Sequence, residues 1–273
     1  LKRNKEGKKG DGEMSLFARD LTIGYEGKII VPKLNMEIKK GEITAIIGPN
    51  GCGKSTILKT MARLHKASGG GVYLDGQDIH RMSTKGLARQ LAILPQSPHA
   101  PEDLTVQDLV SYGRTPYQSG FSRFTAHDLE MVEWAIEETG LSAFKDTPVD
   151  SLSGGQRQRA WIAMAIAQET DILLLDEPTT YLDMAHQLEV LELLGKLNQK
   201  DGRTIVMVIH DLNHASRFAD ELIALKKGQL ICQGTAEKVI SREVLREVFD
   251  IETNIVTDPQ TSKPAILSYN LVR

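Results

Sequence analysis

The sequence GPNGCGKST runs from Gly48 to Thr56 and is the most informative stretch of this chain. It matches the pattern GxxxxGK(S/T) and lies between an apolar run at 43–47 and apolar residues at helical spacing in 57–64. A strand, a glycine loop and a helix in this order surround an anion with backbone N–H groups and a helix N-terminus. We therefore expect a nucleoside triphosphate site, with Lys54 at the outer phosphates and Ser55 at Mg²⁺. The alternative is an ordinary glycine-rich turn, and both flanks argue against it.

Every residue of this loop is expected to contact the nucleotide. The glycines allow the backbone to approach the phosphates closely. Tyr25 precedes the loop in sequence and is a candidate for stacking on a purine base, although a packing role is equally supported. The expected loop contacts are Gly48, Pro49, Asn50, Gly51, Cys52, Gly53, Lys54, Ser55 and Thr56.

The composition predicts a soluble, cytosolic chain. With 273 residues, of which 41% are hydrophobic and 25% charged, we expect one domain with an inserted lobe, or two domains. Cys52 and Cys232 are too few for a disulfide framework. The net charge of −3 gives no basic footprint for a nucleic-acid partner. No signal-peptide pattern opens the chain, and no apolar run has the length needed to span a membrane.

Changes of pattern along the chain predict its organisation. Strand patterns vanish from Ser97 to about Ser151, and helical patterns replace them there, which predicts an inserted helical lobe. Thr125 and Asp128 have the spacing of a helix-capping box, and Lys227-Gly228 between two short apolar runs predicts a hairpin. The expected parts are a disordered tail or cloning remnant at 1–13, a main domain at 14–252 with its core at 14–96 and 166–235 and its helical lobe at 97–165, and a C-terminal tail at 253–273.

Two carboxylates follow a second buried strand. The continuous apolar run 172–175 ends in Asp176 and Glu177. In an open parallel sheet, ligands bind at the carboxyl ends of the strands, so these side chains should face the same crevice as Lys54. We expect Asp176 to help hold Mg²⁺ and Glu177 to polarise the attacking water. A charged strand end that faces solvent is the alternative.

Gln96 and His210 each follow an apolar strand pattern as well. A single Gln or His in such a place is usually a loop residue. Together, at the edge that the phosphate loop implies, they become candidates for the site. Gln96 is expected to contact the metal or the water, and His210 the γ-phosphate.

The sequence LSGGQ, at 152–156, contains a second helix start suited to an anion. Ser153 is a candidate N-cap, and Gly154 and Gly155 leave the first N–H groups of the helix accessible. One nucleotide needs only one such helix start. The simplest interpretation is that Ser153, Gly154, Gly155 and Gln156 contact a nucleotide held by another copy of the chain.

These motifs resemble those of the ATP-binding subunits of ABC transporters. GPNGCGKST, LPQ, LSGGQRQR, ILLLDEP, TYLD and VIHDL occur here in the order of that family, from about residue 16 to about 252. The resemblance implies an α/β fold: a P-loop NTPase (RecA-like) core with a mixed sheet, an N-terminal antiparallel β part and an inserted α-helical subdomain. It also implies that Tyr25 stacks on adenine, that Gln96 is the Q-loop glutamine, that Asp183 is the D-loop aspartate and that His210 is the switch histidine. Asp183 lies in TYLD rather than the commoner SALD.

The resemblance also implies partners and a location. The family binds two ATP molecules between head-to-tail copies, so we expect a homodimer or a paired ATPase subunit, with ATP and Mg²⁺ bound. Integral membrane permease subunits, and indirectly an extracellular binding protein, are the other implied partners, which places the chain at the cytoplasmic face of the cell membrane. RTPYQ at 114–118 and DEPTTYLDMAHQ resemble the importers of iron–siderophore complexes, with haem and vitamin B12 importers as relatives. Tyr112 and Tyr117 are candidate permease contacts, with core packing as the alternative.

Other classes of ABC protein remain as alternatives. A soluble ABC ATPase in DNA repair or translation would carry a long coiled-coil insertion or two cassettes, and neither pattern is visible in the chain. A nucleotide sensor without turnover would not need Glu177 and His210. An exporter usually has its membrane domain fused in the same chain.

Overall fold

The computed structural model describes residues 14–25, 27–96, 98, 101–118 and 124–272. The expected tail at 1–13, and Ser97, where the helical lobe was expected to begin, lie outside the described residues. The strands are β1 (Met14–Tyr25), β2 (Lys28–Lys39), β3 (Ile43–Ile47), β4 (Gly69–Leu74), β5 (Gln77–Asp78), β6 (Leu91–Leu94), β7 (Ile172–Asp176), β8 (Thr204–Val208), β9 (Glu221–Lys226), β10 (Gln229–Gly234), β11 (Ile251–Thr257) and β12 (Pro264–Leu271).

Helices connect most of these strands. They are α1 (Lys54–Met61), α2 (Thr84–Ala88), α3 (Val106–Ser111), α4 (Ala126–Glu138), α5 (Gly154–Ala167), α6 (Met184–Asp201), α7 (Leu212–Phe218), α8 (Ala236–Val239) and α9 (Arg242–Phe249). Short 3₁₀ turns occur at Tyr112–Tyr117, Ser142–Phe144 and Val149–Ser151. None of the described helices is both long and apolar enough to cross a membrane.

The central sheet carries the phosphate loop. Its strand order is β10-β9-β3-β8-β7-β6, with parallel pairing from β9 through to β6 and an antiparallel edge strand, β10. All residues of β3, β7 and β8 are buried, which explains why these strands are continuous apolar runs in the sequence. Each fully buried Ile, Leu or Val side chain contributes about 1.5–3 kcal/mol relative to an exposed one. The predicted hairpin around Lys227-Gly228 is confirmed as β9 and β10.

A second, antiparallel sheet has the order β2-β1-β4-β5 and corresponds to the expected N-terminal β part. The sequence pattern does not predict β2. Its buried positions are irregularly spaced, and its register against β1 shifts in several places, so the period of two that marks a half-buried strand is broken. The mixed sheet, the antiparallel β part and the helical lobe together confirm the expected fold class.

The helical lobe is built from α3, α4 and the first part of α5. Capping boxes begin α3 and α4, and the predicted box at Thr125 and Asp128 is confirmed. The boundary expected between 165 and 166 falls inside α5, which is one continuous helix. Buried side chains of α5 belong to the same hydrophobic cluster as Ala92 of β6 and Val132 of α4. The lobe and the sheet therefore share a core.

Residues of the motif RTPYQ attach the 3₁₀ turn after α3 to α4 and to the end of α5. The Arg114 side chain is 1% exposed; its Nε donates to Oδ1 of Asp128 at 2.9 Å, and its Nη1 donates to the carbonyl of Ala167 at 2.7 Å. The guanidinium also lies 4.0 Å from the ring centroid of Tyr117, whose hydroxyl donates to the Gln168 carbonyl at 3.0 Å. The contacts of Tyr117 are those of a packing residue, whereas Tyr112 is exposed.

Residues 253–273, expected to be a tail, contain most of an antiparallel hairpin, β11 and β12. The hairpin is attached to α7: the Asn213 side chain bonds both the backbone N–H and the carbonyl of Ile266, at 2.7 and 3.2 Å, and Ser216 Oγ donates to the Pro264 carbonyl at 2.6 Å. Most of β12 is exposed, so its sequence carries no hydrophobic alternation by which it could be predicted.

Candidate nucleotide-binding and catalytic site

One cleft of about 570 Å³ opens at the carboxyl ends of neighbouring parallel strands. The phosphate loop follows β3, Gln96 follows β6, Glu177 follows β7 and His210 follows β8, so strand order alone brings these residues together. The cleft volume lies in the range of small-molecule sites. Its lining residues are Tyr25, Ile30, Asn50, Gly51, Gly53, Lys54, Ser55, Thr56, Gln96, Glu177, Thr180, Tyr181 and His210.

The phosphate loop is shaped around the ammonium group of Lys54. Its Nζ donates to the carbonyl of Gly48 at 2.8 Å and to that of Pro49 at 3.1 Å, and the side chain is 5% exposed. A Cβ on Gly48 would lie 2.3 Å from the Leu225 carbonyl oxygen, so the loop requires glycine there. No side chain caps the first turn of α1, whose N-cap is Gly53. Its N–H groups and the Lys54 charge are therefore available to an anion.

Cys52 of the loop is buried beneath the cleft rather than lining it. Burial raises the pKa of its thiol, and the Lys54 charge offsets part of that effect. Its carbonyl accepts a hydrogen bond from the Gly228 N–H at 2.9 Å, which joins the loop to the β9–β10 turn. The thiol is thus a packed, protonated group at neutral pH.

Ser55 and Asp176 have the chemistry of a Mg²⁺ site. Ser55 Oγ donates to Oδ1 of Asp176 at 2.7 Å, and Oδ2 of Asp176 is buried without a hydrogen-bond partner among the described residues. Burial raises the pKa of Asp176, and the Ser55 hydrogen bond offsets part of the shift. A hydroxyl oxygen and an unpaired carboxylate oxygen below a phosphate loop fit Mg²⁺, which prefers one or two carboxylates together with phosphate oxygens.

The Glu177 carboxylate is the centre of the catalytic candidates. Its Oε1 lies 2.6 Å from Nε2 of His210, and its Oε2 accepts from Nε2 of Gln96 at 2.6 Å. Burial would raise the pKa of Glu177, but the hydrogen bonds from His210, Thr180 and Gln96, together with the His210 charge, hold it below its usual value. The Glu177 backbone is left-handed, with φ of 55°. The Gln96 amide nitrogen donates to Glu177, and its amide oxygen is the atom that could contact a metal. The expected metal contact of Gln96 stays a prediction.

Thr180 is a site residue that the sequence analysis missed. Its Oγ1 donates to Oε2 of Glu177 at 3.0 Å, and the residue lines the cleft. The contact depends on the turn that follows β7, in which the Thr180 N–H donates to the Glu177 carbonyl at 3.3 Å. The signal available in the sequence is a hydroxyl residue three positions after the strand-end glutamate.

Tyr25 lines the cleft and stacks on the side chain of His65. Its ring centroid lies 4.2 Å from that of His65, with 29° between the ring planes, and Tyr25 is 45% exposed. Both interpretations made from the sequence, packing and base stacking, are compatible with this placement.

The LSGGQ residues do not line this cleft. Ser153 caps α5: its Oγ accepts from the Gln156 N–H at 3.3 Å, and Oε1 of Gln156 accepts from the Ser153 N–H at 3.0 Å, which confirms the predicted cap. Ser153 and Gly154 are exposed. A Cβ on Gly155 would lie 2.7 Å from Cδ2 of His186, so this glycine permits the close approach of α6.

Asp183 also lies away from the cleft lining and begins α6. Its Oδ1 accepts from the His186 N–H at 3.0 Å and lies 2.9 Å from Nδ1 of the same histidine. The hydrogen bond from the His186 backbone holds the pKa of Asp183 below its usual value. Tyr181 and Met184, close to Asp183 in sequence, are 91% and 80% exposed, so this segment presents large apolar side chains at the surface.

Comparison with known proteins agrees with this geometry. Residues 31–180 match the ABC transporter family. The chain is 59% identical over 259 residues to the iron(3+)-hydroxamate import ATP-binding protein FhuC of Bacillus subtilis (strain 168), covering 95% of this chain and 96% of the relative. It is 46% identical over 252 residues to the ferric enterobactin transport ATP-binding protein FepC of Escherichia coli (strain K12), covering 92% and 93%.

Solved structures show the same fold. A metal-chelate type ABC transporter in an inward-facing conformation superposes with a TM-score of 0.81 at 29% identity, covering 93% of this chain and 97% of that one. A dimeric ATP-binding cassette bound to ADP and phosphate in a post-hydrolysis state gives a TM-score of 0.70 at 30% identity, covering 81% and 98%. The chain therefore belongs to the ABC transporter family, as an ATP-binding subunit that hydrolyses ATP.

Proposed function

We propose that this chain is the ATP-hydrolysing motor of an importer for iron–siderophore complexes and acts on a separate membrane permease. The observation that carries the proposal is its 59% identity, over nearly the whole of both chains, to an iron(3+)-hydroxamate import ATP-binding protein. The matched stretch of 259 residues includes the cleft residues proposed to bind and hydrolyse ATP. The location that follows is the cytoplasmic face of the cell membrane.

The hydrolytic site would work mainly by positioning and by neutralising charge. Lys54 and the N-terminus of α1 hold the phosphates, and Ser55 and Asp176 hold Mg²⁺, which when bound offsets phosphate charge. Glu177 accepts a proton from the attacking water or orients it, and His210 and Gln96 lie on the two oxygens of its carboxylate. Tyr25 stacks on the base.

The second half of each site would come from another copy. Ser153, Gly154 and Asp183 are exposed and do not line the cleft of their own chain, and the solved cassette structure bound to ADP and phosphate is dimeric. We infer a head-to-tail pair, a homodimer or two paired ATPase subunits, in which the LSGGQ residues 152–156 of one copy meet the phosphates held by Lys54 of the other. Two nucleotides are then enclosed at one interface.

A transport assay tests the cargo. Cells in which the gene for this chain is deleted should lose uptake of radioactive iron supplied as a ferric hydroxamate, and the wild-type gene should restore it. The variant Lys54→Ala should not restore it. Unchanged ferric-siderophore uptake, with loss of haem or vitamin B12 uptake instead, would contradict the proposed cargo and leave the motor function intact.

The exposed helix cap provides a test of the shared site. We expect Ser153→Ala to lower the free energy of unfolding by about 1 kcal/mol, because the α5 cap is lost. Since Ser153 does not line the cleft of its own chain, ADP binding should stay unchanged. Dimer formation with MgATP should weaken strongly in a Glu177→Gln background, measured by light scattering.

The matched control for this variant is Ser241→Ala. Ser241 caps α9, with its Oγ accepting from the Val244 N–H at 3.4 Å. Ser241→Ala should lower the free energy of unfolding by a similar amount and leave the MgATP dimer intact. Equal dimerisation of the Ser153→Ala and Ser241→Ala variants would remove Ser153 from the interface.

Thr180 provides a test of the catalytic carboxylate. Thr180→Val removes the hydrogen bond to Glu177 and keeps the shape of the side chain, so we expect turnover to fall about three- to tenfold, which corresponds to one hydrogen bond. Thr180→Ser keeps the hydroxyl and should retain most of the activity. ATP hydrolysis by the assembled transporter measures both variants. Equal turnover of Thr180→Val and the wild type would show that the hydroxyl has no role in catalysis.

A further inference from the structure

The aromatic ring of Tyr25 is backed by an imidazole from a distant part of the sequence. The centroids of Tyr25 and His65 are 4.2 Å apart, and the ring planes are inclined by 29°, which is a stacked arrangement. His65 lies in the segment that follows α1, and its N–H donates to the carbonyl of Lys59 in the last turn of that helix at 3.3 Å. The helix that begins at the phosphate loop therefore ends beside Tyr25.

The two residues differ in their relation to the cleft. Tyr25 lines it, together with Ile30 and Asn50, whereas His65 touches Tyr25 and is not among the lining residues. Tyr25 is 45% exposed, so His65 covers only part of its surface and leaves the rest free beside the cleft.

The environment of the His65 ring indicates that it serves for stacking rather than for hydrogen bonding. Its Nε2 is buried and has no hydrogen-bond partner among the described residues. A histidine kept for hydrogen bonding would have a partner for that nitrogen, because an unpaired buried polar atom costs free energy. Among the residues that the structure describes, the stack on Tyr25 is therefore the contact that engages the His65 ring.

We propose that His65 is a positioning residue for the nucleotide base: it holds the Tyr25 ring so that the free face of that ring stacks on adenine, which gives a three-layer stack of His65, Tyr25 and base. The inference rests on the proposed role of Tyr25. An exposed tyrosine loses rotational freedom when a ligand stacks on it, and a ring that is already held loses less. His65 contributes to affinity by holding the ring before the ligand arrives.

In this arrangement, the base and the phosphates of the nucleotide are bound by different residues. The groups proposed to hold the phosphates are Lys54, whose hydrogen bonds go to the carbonyls of Gly48 and Pro49, and the uncapped N-terminus of α1. Neither Tyr25 nor His65 takes part in these hydrogen bonds. Loss of the His65 ring should therefore weaken binding of a nucleotide and leave binding of inorganic pyrophosphate unchanged. A general disturbance of the loop would weaken both ligands.

The test measures dissociation constants of the full chain for ADP and for pyrophosphate by calorimetry. We expect His65→Ala to weaken ADP binding about three- to tenfold, the range of one aromatic pair, with pyrophosphate binding unchanged. His65→Phe keeps an aromatic face and should bind ADP like the wild type. Thermal unfolding of the ligand-free protein confirms that each variant is folded, and His65→Leu replaces His65→Ala should that variant not fold.

Tyr25→Ala distinguishes failure of this inference from failure of the proposed function. If Tyr25→Ala weakens ADP binding while His65→Ala leaves it unchanged or strengthens it, His65 has no positioning role and Tyr25 keeps its own. If Tyr25→Ala has no effect either, the base does not stack there, and both ideas fail. Equal weakening of ADP and pyrophosphate by His65→Ala would also overturn the inference.

Discussion

Replacing Lys54 with alanine is expected to abolish measurable ATP binding. The ammonium group is 5% exposed and bonds two loop carbonyls at 2.8 and 3.1 Å, so the loop holds it in place before any phosphate arrives. A phosphate would take over those hydrogen bonds at little cost in reorganisation. Truncation of one partner in a buried charge pair costs enough free energy to weaken binding about a hundredfold or more. Calorimetry with ATP on the purified chain measures the loss.

The matched control is Lys66→Ala, at an exposed position that does not line the cleft. It removes the same charge and should leave ATP affinity unchanged. Thermal unfolding of the Lys54→Ala protein separates loss of the ligand contact from collapse of the loop, whose carbonyls lose their partner. A folded Lys54→Ala protein that binds ATP with wild-type affinity would refute the assignment of the phosphate loop.

The site residues that could be predicted from the sequence are those whose positions follow from short-range sequence patterns. The apolar runs of β3, β7 and β8 mark buried parallel strands, and neighbouring parallel strands end at one edge. That rule is sufficient to place Lys54, Glu177 and His210 in one cleft. The capping boxes that begin α4 and α5 were predictable for the same reason, since a cap needs only residues three positions apart.

The residues missed from the sequence depend on contacts between distant segments. His65 reaches Tyr25 only because α1 and the antiparallel sheet pack together, and no spacing rule relates the two positions. Thr180 reaches Glu177 because the chain turns sharply at a left-handed residue, which is uncommon for a glutamate. The exposed strand β12 carries no hydrophobic period, so its hairpin is visible only in the structure.

The cleft by itself is half of the proposed site. The side chains that line it come from the phosphate loop, the strand ends, the turn after β7, and Tyr25 and its neighbours, whereas Ser153 and Asp183 begin helices at the exposed surface. In the proposed mechanism, binding of one nucleotide by a single copy and closure around two nucleotides are separable steps. Lys54 would act in the first step, Ser153 in the second, and Glu177 in the hydrolysis that follows.

Replacing Glu177 with glutamine is expected to keep ATP binding and to lower turnover by on the order of 10²–10⁴. The carboxylate is held by His210 and Gln96 at 2.6 Å each and by Thr180 at 3.0 Å. These hydrogen bonds keep the pKa of Glu177 low, so the group is ionised at neutral pH and can accept a proton from water or orient it. An amide has the same shape without that charge. Steady-state ATP hydrolysis by the transporter reconstituted with its permease measures turnover, and calorimetry measures ATP affinity.

Glu192→Gln is the matched control, because Glu192 lies on the exposed face of α6 and does not line the cleft. It should leave both turnover and ATP affinity unchanged. If Glu177→Gln hydrolyses ATP at the wild-type rate, the water must be activated by another group, and the contacts of His210, Gln96 and Thr180 with this carboxylate serve only to hold the turn after β7. If turnover and ATP affinity fall together, Glu177 contributes to nucleotide binding rather than to the chemical step.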